Sequence, residues 1–519
     1  MTQQSTSSPP PPPPAPRSSA PSVASVPSRS AMLWRSQTRR DQLFFGVLAG
    51  VLLVISAIVQ NQMRSARNGW NLVKDQTPES EKTYRAIAIN FPRLTLGGFR
   101  GILSTVLWQQ AEEDKNERRW VDLETKYDMI GTLQPYFTSV YVFHSWNLAY
   151  NLSAQWAESD SKYKWILDGL AYLYKGEDYN PGSADLIYEE GNLYAMKLGG
   201  GYERAFFRQH WRDDISRLYE FNERTALTKD STVALKHVHD FVIRPYFHAE
   251  LIVDPDTQEA GRGIRITDPD LFSKRTDGKK ASEPMDFPLG LSPFYFAYVE
   301  YTRSVAAGLP STTGAQVVNS RAPMALRQWV MDDVYYMGQT MNDLFGNKPN
   351  EKILNDKVKF AAKTHDMDLL YRNVHTMAPK TIEKFNDYLG VWGKVGFVES
   401  THRKHVVQTE AMIPIINAEK KMFDTLVQWH VGGRKMTPEI INGLKEADRL
   451  YQEAYKPTIK WVDSLYPVVP GEMANPDRAD TEKYANALLI RSKGIQAWLS
   501  LPPDQKPDMT FLEEEVVEK

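Results

Sequence analysis

From about residue 99 onward, apolar side chains recur every three or four residues, the spacing that lines one face of an α-helix. Trp120, Leu123, Tyr127, Ile130 and Leu133 step by 3, 4, 3 and 3. Pro135 then closes the helix, because proline has no amide hydrogen to offer the next turn. Ile166, Leu170 and Leu173 step by 4 and 3 before a turn expected over residues 176–181, and Trp211, Ile215 and Leu218 repeat the spacing. Period-two alternation is scarce, with one short strand expected at 263–267. The pattern predicts an all-α body.

Upstream the pattern changes character. Residues 43–59, LFFGVLAGVLLVISAIV, carry no charge, and Ser56 is their one polar side chain. At 1.5 Å per residue, seventeen to twenty such residues span about 26–30 Å, one bilayer crossing. A buried helix of a globular body shows a polar stripe, and this run has none. Its length exceeds that of a signal-peptide core, and no small-x-small cleavage site follows. An uncleaved transmembrane helix over 43–60 is expected. Arg29, Arg35, Arg39 and Arg40 precede it; Arg64, Arg67 and Lys74 follow. That balance, with no acid before Asp41, orients the amino terminus inside and the body on the extracytoplasmic, periplasmic side. Residues 1–42, with unbroken prolines from Pro9 to Pro14, read as a disordered solvated tail, and 61–94 as a stalk.

Within 95–225 a second periodicity is visible. Gly169, Leu173 and Pro181 give a small residue, a large apolar one and a closing proline; Gly191 and Tyr194 follow, and Tyr127, Pro135 and Ser145 stand one repeat earlier. This order resembles the tetratricopeptide (TPR) family of helix pairs, where small residues let paired helices approach. Pro135 and Pro181 are 46 residues apart, against a repeat of about 34 in that family. Leu123 stands at a small position, Ile187 at the tryptophan position and Glu190 at a leucine position. The stretches Leu96-Gly97-Gly98-Phe99-Arg100-Gly101 and Trp146-Asn147-Leu148-Ala149-Tyr150-Asn151 make the wider segment similar to bacterial membrane-anchored TPR-like helical proteins. Some of those carry an iron-responsive-element label. The resemblance implies a repeat body that binds protein partners.

Residues 226–290 read as a loop-rich insertion, with Asp254-Pro255, Asp268-Pro269 and Glu283-Pro284 in quick succession. Helicity returns over 291–519, opened by Ser292-Pro293, a cap followed by proline at the first helical position. Helices are expected over 327–344, 351–371, 380–389, 399–430, 439–465 and 481–499, with Pro414 ending or kinking its segment. The acidic residues 513–515 read as a solvated end.

Composition removes several function classes. Lys+Arg 62 against Asp+Glu 64 leaves a formal charge of −2, which excludes a mainly electrostatic nucleic-acid binder. The absence of cysteine excludes disulfides, thiolate zinc sites, cysteine nucleophiles and cysteine-held iron–sulfur clusters, and with them an aconitase-like route to iron chemistry.

The densest chemical cluster is His237-Val238-His239-Asp240, with His248 and Glu250 beyond it. On a strand both histidines share a side and suit zinc or iron(II); on a helix they point about 200° apart and cannot share an ion. His402-Arg403-Lys404-His405 reads as a solvated basic helix face. The glycines at 199–201 and Gly261-Arg262-Gly263 read as turns between helices, lacking phosphate-loop spacing. Glu112-Glu113-Asp114 and Glu189-Glu190 read as surface charge. Aromatic residues make up 11% of the chain, enough that some are expected to line a binding face. No residue set meets the spacing demanded of a catalytic, cofactor-binding or metal site, and no cofactor is expected. The sequence therefore points to a membrane-anchored, non-enzymatic interaction or scaffold protein of the bacterial envelope, with one integral span, protein partners and no nucleic acid. The alternatives are a membrane-anchored metal-dependent hydrolase using His237, His239 and Asp240, and a receptor gripping an extended glycan or peptide.

Overall fold

The computed structural model describes residues 99–201, 203–217, 233–247, 249–253, 260–266, 285–287, 292–311, 313–394, 398–468, 476–502, 505 and 507–513. The expected tail (1–42), transmembrane helix (43–60) and stalk (61–94), and the residues up to 98, all lie outside them. Among the described residues no helix is long and apolar enough to cross a membrane. The chain divides into two units between Ile102 and Leu103, and the elements below belong to the second, apart from the first turn of α1.

Helices α1 (Phe99–Asn116), α2 (Trp120–Leu133), α3 (Thr138–Trp146), α4 (Ser159–Tyr179) and α5 (Ala184–Asn192) open the body. Their apolar faces are the ones the spacing predicts: Leu123, Tyr127, Ile130, Leu133, Ile166, Leu170 and Leu173 are all buried. The corner between α2 and α3 and the corner between α4 and α5 are conformational copies displaced by 46 residues. Helices α2 and α4 are capped by Gln134 (φ −129°, ψ 61°) and Asn180 (φ −128°, ψ 62°). The amides of Phe137 and Ser183 then donate to the carbonyls of Gln134 (3.0 Å) and Asn180 (3.1 Å). Pro135 and Pro181 follow the caps, where a missing N–H breaks no helical bond. Both second helices pass into π-helical segments, Asn147–Leu152 and Leu193–Gly199.

Helix α4 runs through Gly176 to Tyr179, so the turn expected from residue 176 begins only at Asn180. Gly176 is an interior packing position: a Cβ there would stand 2.6 Å from Cγ of Tyr141 on α3. Gly169 similarly lets α4 approach the neighbouring pair, with Ser145 O and Ala149 Cβ at 3.0 and 3.3 Å from a Cβ position.

After α6 (Arg204–Arg217) and α7 (Val233–Val242) comes a small antiparallel sheet in the order β1 (Ala249–Val253), β2 (Ala260–Ile266), β3 (Met285–Phe287). Ala249 pairs with Ile266, and Ile264 with Phe287. Gly261 and Gly263 thus lie in the central strand rather than in a turn between helices; side-chain-free positions are tolerated there because the ladder is made by backbone alone. The remaining described elements are helices.

Helices α8 (Pro293–Ala307), α9 (Ala315–Phe345), α10 (Glu351–Leu354), α11 (Lys357–Trp392), α12 (Val398–Val431), α13 (Pro438–Leu465) and α14 (Pro476–Leu499) complete the chain. The Ser292 hydroxyl caps α8, accepting from the Phe294 amide at 3.4 Å. Helix α8 packs on α5 and α9, α9 on α11, and α11, α12, α13 and α14 each on the next. The expected 351–371 segment breaks at Asn355 and restarts under the Asp356 cap, whose carboxylate accepts from the Val358 and Lys359 amides at 3.1 Å. Helix α12 is continuous through Pro414. The bond lost there is local, while Ala411, Met412, Ile415 and Ile416 are fully buried on both sides and hold the axis.

Candidate functional site

The sequence-nominated clusters resolve first. Helix α7 carries His237 and His239, so the two positions face opposite sides and cannot share an ion. The Nε2 of His237 lies 3.0 Å from Asp168 Oδ1 on α4, and its ring stacks on Phe241. Asp240 is exposed, Glu250 sits on β1 opposite Arg265, and His248 lies outside the described residues. Among the described residues no group of three or more His, Cys, Asp or Glu could hold a metal ion. His402 and His405 are half-buried against Phe385, 6.1 and 5.7 Å between ring centres, so the expected solvated face is a packed one. Burial, reinforced by Arg327, pulls the His405 imidazole down to about 2. The acidic pairs are also not simple surface charge. Asp114 and Glu190 are fully buried, Asp114 in ion pairs with Arg119 (2.6 Å) and Lys126.

The face that stands out lies where α3 and α5 pass into their π-helical segments, and no local sequence rule announced it. Trp146 and Met196 are 47% and 43% exposed. The Trp146 indole stacks on Tyr150 at 5.9 Å, and Lys197 Nζ stands 4.9 Å over the same Tyr150 ring. Because α3 and α5 pack on each other, residues from both helix ends meet on one ring. A π turn holds an extra residue relative to an α turn, and such segments recur at functional sites. A little further along, Trp156, also exposed, stacks on Trp165 at 6.4 Å, and Lys164 lies over Trp165. Flat rings flanked by ammonium groups can bury apolar area while offering a polar edge to a partner.

Behind this face His144 is wedged between Tyr127 and Tyr172, 4.5 and 4.3 Å between ring centres, with no hydrogen-bond partner on either nitrogen. Burial, with Lys175 adding, lowers it to about 3. Its neutral form therefore supports the fold above about pH 6.5, and that support drains away as pH falls toward 3. A wider groove of about 750 Å³ lies over α11, α12 and α13. Its central Lys420 bridges Asp368 (2.8 Å) and Asp424 (2.5 Å), so the charges there largely cancel.

No protein-family model, curated protein or solved structure matches this chain. Its function is read from its own geometry.

Proposed function

We propose that this is a membrane-anchored, non-enzymatic interaction or scaffold protein. Residues 43–60 form its single transmembrane helix, and its TPR-like helical body stands on the extracytoplasmic side and engages a protein partner. The observation that carries the reading is the pair of π-ended helices, α3 and α5, which leave Trp146 and Met196 exposed while Trp146 and Lys197 meet on the half-buried ring of Tyr150. Stacked helix pairs offer broad, shapeable surface. The close approach of Gly169 to Ser145 and Ala149 supports the family likeness, and the 21-residue α4 accommodates the longer period. Anchoring would raise the effective concentration of the body near membrane partners, which favours a modest binding face.

Photocrosslinking from position 150 of the full-length chain in its native membrane is expected to give a discrete partner adduct. Replacing Trp146 and Met196 by alanine should weaken that capture by about tenfold or more, the loss typical of a hot spot. The melting temperature should stay unchanged. Adducts no more frequent than from Val391, a 72% exposed position on α11, would remove the face from consideration. For orientation, a reporter fused after Lys519 should be active only in its extracytoplasmic form; activity from a cytosol-dependent reporter would reverse the topology.

A further inference from the structure

We propose that the interface of α4, α5 and α8 contains a proton-binding site, the Glu190 carboxyl, which holds one proton at neutral pH for as long as those helices stay packed.

Three carboxylates meet in this interface: Glu177 from α4, Glu190 from α5 and Glu300 from α8, the last two with no solvent exposure. Two guanidinium groups face them. Arg303, one turn along α8, pairs with Glu300 and with Glu177. Arg244, just beyond α7, stands 3.6 Å from Glu177 and also 3.6 Å from the exposed Asp178, so its charge is shared outward. The remaining titratable groups are phenols. Tyr174 donates to Glu300 at 3.0 Å and lies 3.0 Å from the Tyr194 hydroxyl, and Tyr246 donates to Glu177 at 3.4 Å. Burial pushes all three phenols up, so they remain protonated and neutral.

The charges do not balance if every acid is ionised. Three anions oppose two cations, one of them shared with the surface. An uncompensated charge in a dry interior is strongly unfavourable, and a carboxyl so placed takes up a proton instead. Geometry says which one. Glu300 has Tyr174 and Arg303 as partners, and Glu177 has Arg303, Arg244 and Tyr246. Neither oxygen of Glu190 has a hydrogen-bond partner, and its nearest cation, Arg303, is 3.9 Å away and already engaged twice.

Water is kept out by contact. Next to Glu190, Gly191 lies under the Tyr301 ring of α8, where a Cβ would be only 2.8 Å from the ring edge. Tyr301 donates to Asn192 at 2.9 Å and Ser304 to the Ala184 carbonyl at 2.9 Å, fastening α8 to α5 on either side. Burial first, then the fields of Glu177 and Glu300, raise Glu190 well above the ordinary carboxylate range.

The sign of the linkage follows. An unfolded glutamate ionises near 4.5, whereas Glu190 in the packed interface keeps its proton to higher pH. Unfolding near neutrality therefore releases a proton at this site, and the stability it confers is lost as pH rises through the folded value. One such proton makes the unfolding equilibrium constant rise by about tenfold per pH unit between the two values. Glu300 in the same cluster, raised by burial to about 7 although Arg303 and Tyr174 hold it back, and Asp333 on α9 and Glu419 on α12, also raised by burial, add protons of their own. The difference between wild type and a variant isolates Glu190.

The test uses the full-length chain and Glu190→Gln, whose amide imitates the protonated acid. Two results are expected. The infrared carbonyl band of protonated carboxylic acid at pH 7 should lose the intensity of one residue. The pH slope of unfolding between pH 5.5 and 7.5 should fall by about one proton. Unchanged band intensity, or an unchanged slope, would overturn the proposal. Glu190→Met provides a second variant, since the site asks only for an uncharged side chain of similar size. A folded Glu190→Met with the same lost proton supports the assignment even if the glutamine variant misfolds, and failure of both to fold overturns it.

Discussion

Replacing Arg491 by methionine is expected to destabilise the carboxy-terminal helices by about 3–5 kcal/mol at pH 8, the cost of stranding a buried charge. Arg491 on α14 is almost fully buried, and its Nε lies 3.5 Å from Oε1 of Glu419 on α12, which is itself inaccessible. Tyr451 on α13 donates to the same oxygen at 3.1 Å, so one carboxylate joins three helices. Glu419 is already raised by burial, with Arg491 and Tyr451 holding it back. Without the guanidinium that restraint goes, and the carboxyl takes a proton more readily. The deficit should therefore shrink as pH falls toward the ordinary glutamate value and reach its full size above the raised one. Glu419→Leu with Arg491→Met should recover most of the loss, because two apolar groups strand no charge. Denaturant midpoints at pH 5 and 8 decide the matter: a single variant within about 1 kcal/mol of wild type at pH 8 would mean the pair is not dry.

The second large effect concerns backbone approach. Gly176→Ala should cost about 1–3 kcal/mol or more, because overpacking forces a core element to move. The obstacle is the ring root of Tyr141, with Cγ at 2.6 Å and Cβ at 2.9 Å from the new methyl. Tyr141 is fully buried and its hydroxyl donates to the Gly131 carbonyl at 3.3 Å, so the ring has little freedom to swing aside. Gly390 on α11 gives the opposite result. Nothing lies within 4 Å of its Cβ position, and alanine there should stabilise by about 0.5–1 kcal/mol through helix propensity. Thermal melting of both variants checks the pair; equal shifts would show that the α3–α4 contact is looser than described.

The helical faces were legible because a stripe of large apolar residues at three-and-four spacing has one way to leave water. Trp120 through Leu133 shows this, as does the Ser292 cap. Helix lengths were less legible where prolines intervened. Pro379 and Pro414 both lie inside continuous helices, held by burial of the flanking residues and not by local preference. The buried acids were legible only in part. Glu190 occupies a leucine position of the repeat pattern, which is the signal of a charge in a core register. The groups that decide its charge state, however, come from distant stretches: Glu300 and Arg303 stand more than one hundred residues further on. No local pattern can announce such partners. Trp146 poses the same difficulty in reverse: it looks like any helical ring, and only the placement of neighbouring helices separates it from the wholly buried Tyr295 and Trp329. The extra residue that makes a π turn has no signature in side-chain chemistry.

The matched bends at Gln134 and Asn180 make the 46 residues between them a cassette. Since both joints have the same backbone angles, cutting at one and splicing to the other leaves the chain entering the next helix in the same direction. A deletion of residues 135–180 would therefore join α2 to α5 through a corner of unchanged angles.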